Sequence, residues 1–249
     1  MFIKIILILI VIYFIYKYFI LESFNNNIYL TKLELEKTLL NDSDDYYKNF
    51  NLTDYQVRNI NSIKDYHNHI LNSCINISDH NKEILDKCII LANAKIRKYT
   101  CDGFDGAKAA TLQWNIGLVD GKLYEAGLPH TRNNIIILPL VLITNKQLLV
   151  STLIHEKIHI YQKTFKNDII IYLKKNGFVK FKKKNKFDSI RANPDIDDWV
   201  YKSNNKIMRS IYNDNPKSIL DCTFIPIDSD EYEHPLEYMA YNIQREILK

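Results

Sequence analysis

The sequence has little of several features that mark common functional classes. It has four cysteines, and no two of them are spaced as in a CxxC metal site. If all four were oxidised, they would allow three pairings. The net charge of +4 is too small to indicate binding to nucleic acid, and no internal repeat is evident. A chain of 249 residues with 47% hydrophobic residues is long enough for one sizeable domain and an appendage.

The N-terminus forms the appendage. Apolar or aromatic residues run without interruption from Ile5 to Tyr16. As a helix, the apolar segment to Leu21 spans roughly 25 Å, close to the ~30 Å hydrocarbon core of a bilayer, and the flanking lysines can reach the interface. A cleaved signal peptide is the alternative, but the residues that follow are mostly too bulky for a cleavage site. The sequence therefore predicts a transmembrane signal anchor at residues 1–24.

The segment "TLIHEKIHIYQ", residues 152 to 162, contains two histidines four positions apart. On an α-helix, residues i and i+4 share a face, so His155 and His159 can direct their rings at one point. Two imidazoles and a third ligand leave one zinc position for water, and Glu156 is placed to accept a proton from that water. The motif predicts a zinc hydrolase. Lys157 lies within it and should point to solvent or to a carboxylate.

The residues around the motif favour a helix. Thr144 and Gln147 have the spacing of a capping box, and no glycine or proline interrupts residues 140 to 176. Apolar residues at helical spacing predict a buried stripe; they are Leu149, Leu153, Ile154 and Ile158. Upstream, residues 134 to 138 read as a strand that Pro139 ends.

A candidate third ligand lies near the C-terminus, in "YEHPLEYMAYNIQ". Pro235 suits the first turn of a helix, where its missing N–H is not needed. Glu237 then lies at the edge of an apolar stripe, where a carboxylate is usually paired or metal-bound. An ordinary ion pair is the alternative, and neighbouring residues are rival ligands; these are Glu231, Glu233 and His234.

Together these motifs resemble a known group of enzymes. The 152–162 segment is similar to the active-site helix of the zincin metallopeptidases, and Glu237 with Ala240 resembles the ExxA arrangement of the gluzincins. The ordered set GLPHTR, HEKIH, NPD and HPLE resembles uncharacterised zinc peptidases of large DNA viruses and algae, over about residues 110 to 249. The resemblance implies Zn²⁺ bound by His155, His159 and Glu237, a zincin-like fold, and a viral or host membrane as the location of the anchored protein. It implies no particular substrate.

His130 and Arg132, in "GLPHTR", are candidates for a catalytic role. If their strand edges the cleft, they can stabilise the oxyanion that forms when hydroxide attacks a peptide carbonyl. The alternative for Arg132 is a pairing with a carboxylate that orders the loop. Tyr201 and Tyr241 are weaker candidates for the same role.

The predicted organisation has three parts. Residues 25–106 are helical and polar and form a stalk or a cover segment, with Thr31 and Glu34 as a capping box. One longer helix is expected after Thr53. Residues 107–249 form an α+β, zincin-like catalytic domain, with a small sheet over residues 108 to 139 beside the active-site helix.

Two functions fit this organisation. The first is a membrane-anchored zinc metallopeptidase acting on peptides or proteins, with Glu156 as general base; an amide or ester substrate would fit the same site. The second is a catalytically silent scaffold or partner-binding membrane protein with the same fold. A scaffold has no need for a base beside the metal, so Glu156 favours the enzyme.

Overall fold

The computed structural model describes residues 10, 13, 27–185, 189–225 and 232–249. The architecture is α+β, as the sequence predicts. The helices are α1 (Lys32–Asn41), α2 (Leu52–Val57), α3 (Ile63–Ser73), α4 (Asp79–Ile96), α5 (Gly106–Thr111), α6 (Lys146–Thr164), α7 (Lys166–Lys175) and α8 (Pro235–Leu248). The strands are β1 (Asn27–Tyr29), β2 (Cys74–Ile75), β3 (Thr100–Cys101), β4 (Phe104–Asp105), β5 (Trp114–Val119), β6 (His130–Arg132), β7 (Ile135–Pro139), β8 (Phe178–Lys183), β9 (Trp199–Ser203), β10 (Lys206–Tyr212) and β11 (Cys222–Ile225).

The main sheet has the strand order β1-β5-β7-β6, and β2 also pairs with β5. Strands β1, β5 and β7 are parallel, whereas β6 runs antiparallel to β7 at the edge of the sheet. Every residue of β5 and β7 is buried, as expected for strands covered on both faces. The expected strand at 134 to 138 is therefore confirmed, one residue later at each end.

Alternation along β7 divides the core into two layers. Ile136 and Leu138 join a cluster that includes residues of α4, α6 and α8, whereas Ile135 and Ile137 join residues of α1 and α3. Helices therefore cover both faces of the sheet. On the α1 side the approach is close, because a Cβ at Gly117 would lie only 2.6 Å from Leu35 Cδ1.

The second sheet is antiparallel, with the order β11-β10-β9-β8. A turn at residues 193–195, which have the sequence Asn-Pro-Asp, precedes β9. This turn contacts two helices, since Asn193 bonds to Glu237 of α8 and Asp195 pairs with Lys163 of α6.

Some local predictions hold and others fail. The capping box of Thr31 and Glu34 is present at the start of α1. The expected single helix after Thr53 is wrong: α2 ends at Val57 and α3 begins at Ile63. The expected cap of the HExxH helix is also wrong, since Asn145 caps α6 by accepting from Leu148 N, while the Thr144 hydroxyl donates to the carbonyl of Val141.

The predicted boundary at 106/107 runs through one shared sheet. Strands β1 and β2 lie before it in the chain, and both pair with β5, which lies after it. Residues on both sides of the boundary therefore contribute to one sheet and one core. Whether residues 25–106 also act as a stalk or cover stays a prediction.

The predicted membrane anchor at residues 1–24 lies outside the described residues, except for Ile10 and Tyr13. Among the described residues, none of the helices combines the length and the apolar character needed to cross a bilayer.

Candidate metal centre

Helix α6 carries the HExxH motif and lies in the larger of the two core layers. Its apolar stripe of Leu149, Leu153, Ile154 and Ile158 is fully buried, as predicted. The helix packs against α4 and α8 and against the edge of the main sheet. Packing on several sides explains why residues 153 to 162 are all buried, including the polar ones. The two histidines and the glutamate are therefore held on a rigid element away from bulk water.

Helix α8 brings Glu237 to the two histidines. Pro235 occupies the first turn, and His234 caps the helix by accepting from Leu236 N at 3.2 Å. Glu237 Oε2 lies 3.5 Å from His155 Nε2 and 3.6 Å from His159 Nε2. The two Nε2 atoms are 3.0 Å apart, and the three donor atoms all lie within 4.8 Å of one another.

The rival ligands are engaged elsewhere. Glu233 pairs with Arg191 and accepts from Asn193 Nδ2 at 2.7 Å. His234 Nε2 lies 3.1 Å from Asp197 Oδ1, and its Nδ1 is used by the helix cap. Glu231 lies outside the described residues. Of the described candidates, Glu237 is the one that the structure brings to the histidine pair.

Neighbouring charges shift the pKa values of His159 and Glu237. Burial lowers the pKa of His159, but the carboxylates of Asp195 and Glu237 outweigh it and raise the pKa to about 9. Burial would raise the pKa of Glu237, yet the facing histidines hold it well below its usual range. These shifts favour a protonated His159 beside an anionic Glu237, and a metal ion at this position would replace that proton.

Glu156 lies beside the cluster, and its pKa is shifted in the opposite direction to that of Glu237. The side chain is 2% exposed, and its Oε2 has no hydrogen-bond partner among the described residues. Burial raises the pKa of Glu156 well above its usual range, and the charges of Asp195 and Glu237 add to this effect. This oxygen is therefore available to accept a proton or a hydrogen bond from a molecule bound at the site.

Most of the site residues line one cavity of about 410 Å³, but His159 is fully buried and is not part of its wall. Its wall includes His155, Glu156 and Glu237, together with the turn at 193–195. Apolar side chains form another part of the wall; they are Leu128, Pro129, Leu148, Ile219, Leu220 and Phe224. A larger cavity of about 970 Å³ also has this turn in its wall, and neither His155 nor His159 lines it. The smaller cavity is the one that can admit a substrate to the cluster.

The donor set suits zinc. Two imidazole nitrogens and one carboxylate oxygen are a common catalytic zinc set, and the unpartnered oxygen of Glu156 lies at the same cavity. Comparisons of the chain with protein-family models, curated proteins and solved structures found no match. The zincin resemblance therefore stays a prediction from the sequence, and the geometry of the site stands beside it.

His130 reaches the cavity, but its ring is already engaged. Nδ1 donates to the carbonyl of Leu128 at 2.9 Å, and Nε2 lies 3.2 Å from the Tyr124 hydroxyl. Burial lowers the pKa of His130, which favours the neutral ring. Neutral His130 has one N–H, and Leu128 accepts it. This arrangement gives no support to an oxyanion role for His130.

Arg132 is placed as the alternative interpretation expects. Its guanidinium donates to Asp42 Oδ1 at 2.7 Å and to Asp44 Oδ2 at 2.7 Å, and it is 1% exposed. Arg132 does not appear in the wall of the 410 Å³ cavity. The residue orders the loop between α1 and α2 against β6, and we assign it no catalytic part.

The expectation for Lys157 is wrong. The side chain is fully buried, and Nζ donates to the carbonyls of Leu112 at 2.5 Å and Gln113 at 3.2 Å. The ammonium also lies 4.0 Å from the ring centroid of Trp114. Burial lowers the pKa of Lys157 to about 7. Backbone carbonyls and an aromatic face replace the solvent or carboxylate that the sequence suggested.

The two tyrosines differ in position. Tyr201 donates to Asp197 Oδ2 at 2.8 Å and does not line the 410 Å³ cavity. Tyr241 lines it, and its ring centroid lies 4.4 Å from that of His155. Of the two, Tyr241 is the one positioned to contact a substrate.

Three polar residues at the site were missed by the sequence interpretation. They are Gln162, Asn193 and Gln244, and each contacts one of the candidate ligands. Helical spacing contained the signal, since Gln162 follows His159 by three residues and Gln244 follows Glu237 by seven. For Asn193 the sequence contained a turn signal and nothing that pointed to Glu237.

Proposed function

We propose that this chain is a zinc-dependent metallopeptidase of the gluzincin type, anchored in a membrane by its N-terminal segment. The observation that carries the proposal is the convergence of His155, His159 and Glu237 beside the unpartnered oxygen of Glu156, at one cavity. The zincin-like fold and the viral or algal relatives are part of the proposal, since both rest on the sequence motifs.

The side chains have separate roles. His155, His159 and Glu237 would hold Zn²⁺ through Nε2, Nε2 and Oε2. Zinc in such a set lowers the pKa of a bound water to about 7 and polarises the substrate carbonyl. Glu156 takes a proton from water through its free oxygen and passes it to the leaving amine. Burial of the whole set excludes bulk water and strengthens each electrostatic interaction.

The cavity supports a peptide as substrate. Its apolar wall can accept a hydrophobic side chain, while the polar side holds the reacting group. Exposed Leu148 and Leu220 lie on this wall, where an extended chain would enter. We therefore expect cleavage of peptides that carry a large apolar residue near the scissile bond.

Metal removal is the direct test of the proposal. The full chain, purified without chelator, should contain one zinc per chain and cleave members of an unbiased peptide library. Chelation should abolish cleavage, and added Zn²⁺ should restore it. His159→Ala should contain no zinc, whereas the exposed His80 can be replaced by alanine as a matched control without effect. A chain that takes up no zinc on titration would rule out the proposal. A chain that holds zinc and cleaves nothing would favour the scaffold.

A further inference from the structure

Each of the three candidate ligands has a carboxamide side chain as a hydrogen-bond partner. The pairs are His155 with Gln244, His159 with Gln162 and Glu237 with Asn193. A carboxamide has one accepting end and one donating end. The other contacts of each carboxamide therefore determine which end faces the ligand.

Gln244 determines the state of His155. Its Nε2 lies 2.8 Å from the carbonyl oxygen of Ser151, which can only accept a hydrogen bond. The amide nitrogen must face that carbonyl, so Gln244 Oε1 faces His155 Nδ1, at 3.3 Å. Because Oε1 can only accept, Nδ1 carries the proton. The lone pair of neutral His155 is then at Nε2, which faces the metal position.

Gln162 imposes the same state on His159. Its Nε2 donates to the carbonyl of Leu236 at 2.9 Å, so its Oε1 accepts from His159 Nδ1 at 2.9 Å. When both rings are neutral, two ring nitrogens with lone pairs face each other across 3.0 Å, next to the carboxylate of Glu237. Three acceptors in one place repel each other unless a cation or a proton lies between them.

Asn193 divides the two oxygens of Glu237. Its Oδ1 accepts from the backbone N–H of Asp195 at 2.9 Å, so its Nδ2 is the end that faces the carboxylates. Nδ2 donates to Glu237 Oε1 at 2.8 Å and to Glu233 Oε1 at 2.7 Å. Glu237 Oε1 is thereby occupied, and Oε2 is left toward the histidines.

We propose that Gln162, Gln244 and Asn193 are positioning residues that select the three ligand atoms before metal binds. The first two fix the tautomer in which each neutral imidazole has its lone pair at Nε2, and Asn193 restricts Glu237 to binding through a single oxygen. Single-oxygen binding keeps the coordination number low and leaves a position for water. This inference rests on the proposed metal site and adds to it how the site is set in the metal-free protein.

The tautomers can be measured in the metal-free full chain. Long-range ¹H–¹⁵N spectra, recorded at a pH where both rings are neutral, should show His155 and His159 protonated at Nδ1. The exposed His80 has no such partner among the described residues and should show the mixture typical of a free ring. Protonation of either His155 or His159 at Nε2 would overturn the proposal.

Metal affinity gives a second, independent test. Gln244→Met and Gln162→Met keep the side-chain size and remove the acceptor, and each should weaken Zn²⁺ binding by about 10- to 100-fold. Gln147→Met, on the exposed face of the same helix α6, is the matched control and should leave the affinity unchanged. If Gln162→Met unfolds, the part-buried Gln244 still decides the question. A folded Gln244→Met with wild-type affinity would overturn the proposal.

Cobalt substitution tests Asn193. With Asn193→Leu, the second oxygen of Glu237 is released and can join the first on the metal. The visible absorption of the Co²⁺ form should then weaken, because the coordination number rises. An unchanged Co²⁺ spectrum in a folded variant would contradict the role of Asn193.

These outcomes separate this inference from the proposed function. Zinc binding and Nδ1 protonation without any peptide cleavage would leave the positioning residues in place and remove the peptidase. Metal-dependent cleavage that survives Gln244→Met with unchanged affinity would do the reverse.

Discussion

Two buried glutamates line the same cavity but differ in their hydrogen-bond partners. Glu125 is 4% exposed and Glu156 is 2% exposed. Both oxygens of Glu125 are bonded to Arg58, at 3.0 Å through Nε and 2.8 Å through Nη2, and tyrosine hydroxyls add further bonds. Glu156 has an oxygen without a partner among the described residues.

The contrast extends to their charge states. Burial would raise the pKa of Glu125, but Arg58 outweighs it and holds the pKa at about 2. Burial and neighbouring carboxylates raise the pKa of Glu156 instead. Burial alone therefore does not mark a functional carboxylate. A buried carboxylate whose oxygens are all hydrogen-bonded stabilises the fold. A buried carboxylate with an unpartnered oxygen beside candidate metal ligands is a candidate catalytic residue.

The largest expected effect is on activity. Glu156→Gln keeps the size of the side chain and removes the base, so turnover should fall by about 10²- to 10⁴-fold. Zinc content should stay at one per chain, and the free energy of unfolding should not fall, because no ion pair or hydrogen bond to the free oxygen is lost. Undiminished cleavage by this variant, measured beside the wild type on the same peptide library, would remove Glu156 from the mechanism.

The matching change at Glu125 should affect stability instead. Glu125→Gln leaves the Arg58 charge buried, although Asp54 Oδ1 remains 3.4 Å from its Nη1. We expect the free energy of unfolding to fall by about 3 kcal/mol, at the lower end for a broken buried ion pair, with zinc still bound. Urea unfolding measures it, and Glu83→Gln on the exposed face of α4 is the control. A loss of zinc without a loss of stability would show that Glu125 supports the metal centre and not the stability of the fold.

Low pH should remove the difference in unfolding free energy between the wild type and Glu125→Gln. A carboxylate whose folded pKa is lowered to about 2 from 4.5 contributes stability that is complete above the unfolded pKa. This contribution is lost as the pH falls through the folded pKa. The gap in unfolding free energy between wild type and Glu125→Gln should therefore be constant above about pH 5 and shrink from there toward pH 2. A gap that stays constant to pH 3 and below would show that the ion pair does not lower the pKa.

The two clusters also differ in how well the sequence predicts them. The HExxH spacing, the apolar stripe of α6 and Pro235 are local patterns, and each predicts its own helix. The contact of Glu237 with the histidines is also long-range, and it is predicted through the resemblance to the gluzincin ExxA arrangement and not through periodicity. Arg58 and Glu125 are 67 residues apart, and no periodicity links them. Their pairing depends on how α2 and the loop before β6 meet in space.

Long-range packing also explains why the prediction for Lys157 is wrong. Lys157 follows the glutamate of the motif, and local composition suggests a solvent or carboxylate partner. Its actual partners, Leu112, Gln113 and Trp114, lie more than 40 residues earlier, where the chain leaves α5 and enters β5. Contacts of this length follow from the packing of α6 against the sheet, which helical periodicity does not specify.

The smallest expected effect concerns the cap of the helix that carries Glu156. Asn145 accepts from Leu148 N at 3.1 Å, so Asn145→Ala should lower the free energy of unfolding by about 1 kcal/mol. In a chain of this size that corresponds to a melting temperature lower by about 2–4 °C. Thr144→Ala is the matched control, because among the described residues its hydroxyl donates to the carbonyl of Val141, and Asn145 is the residue that caps α6. The cap lies ten residues before His155, so zinc content and turnover per folded chain should not change. A larger loss from Thr144→Ala than from Asn145→Ala would restore the capping box that the sequence suggested. A loss of zinc from Asn145→Ala would show that the helix start, and not only its centre, holds the metal centre in place.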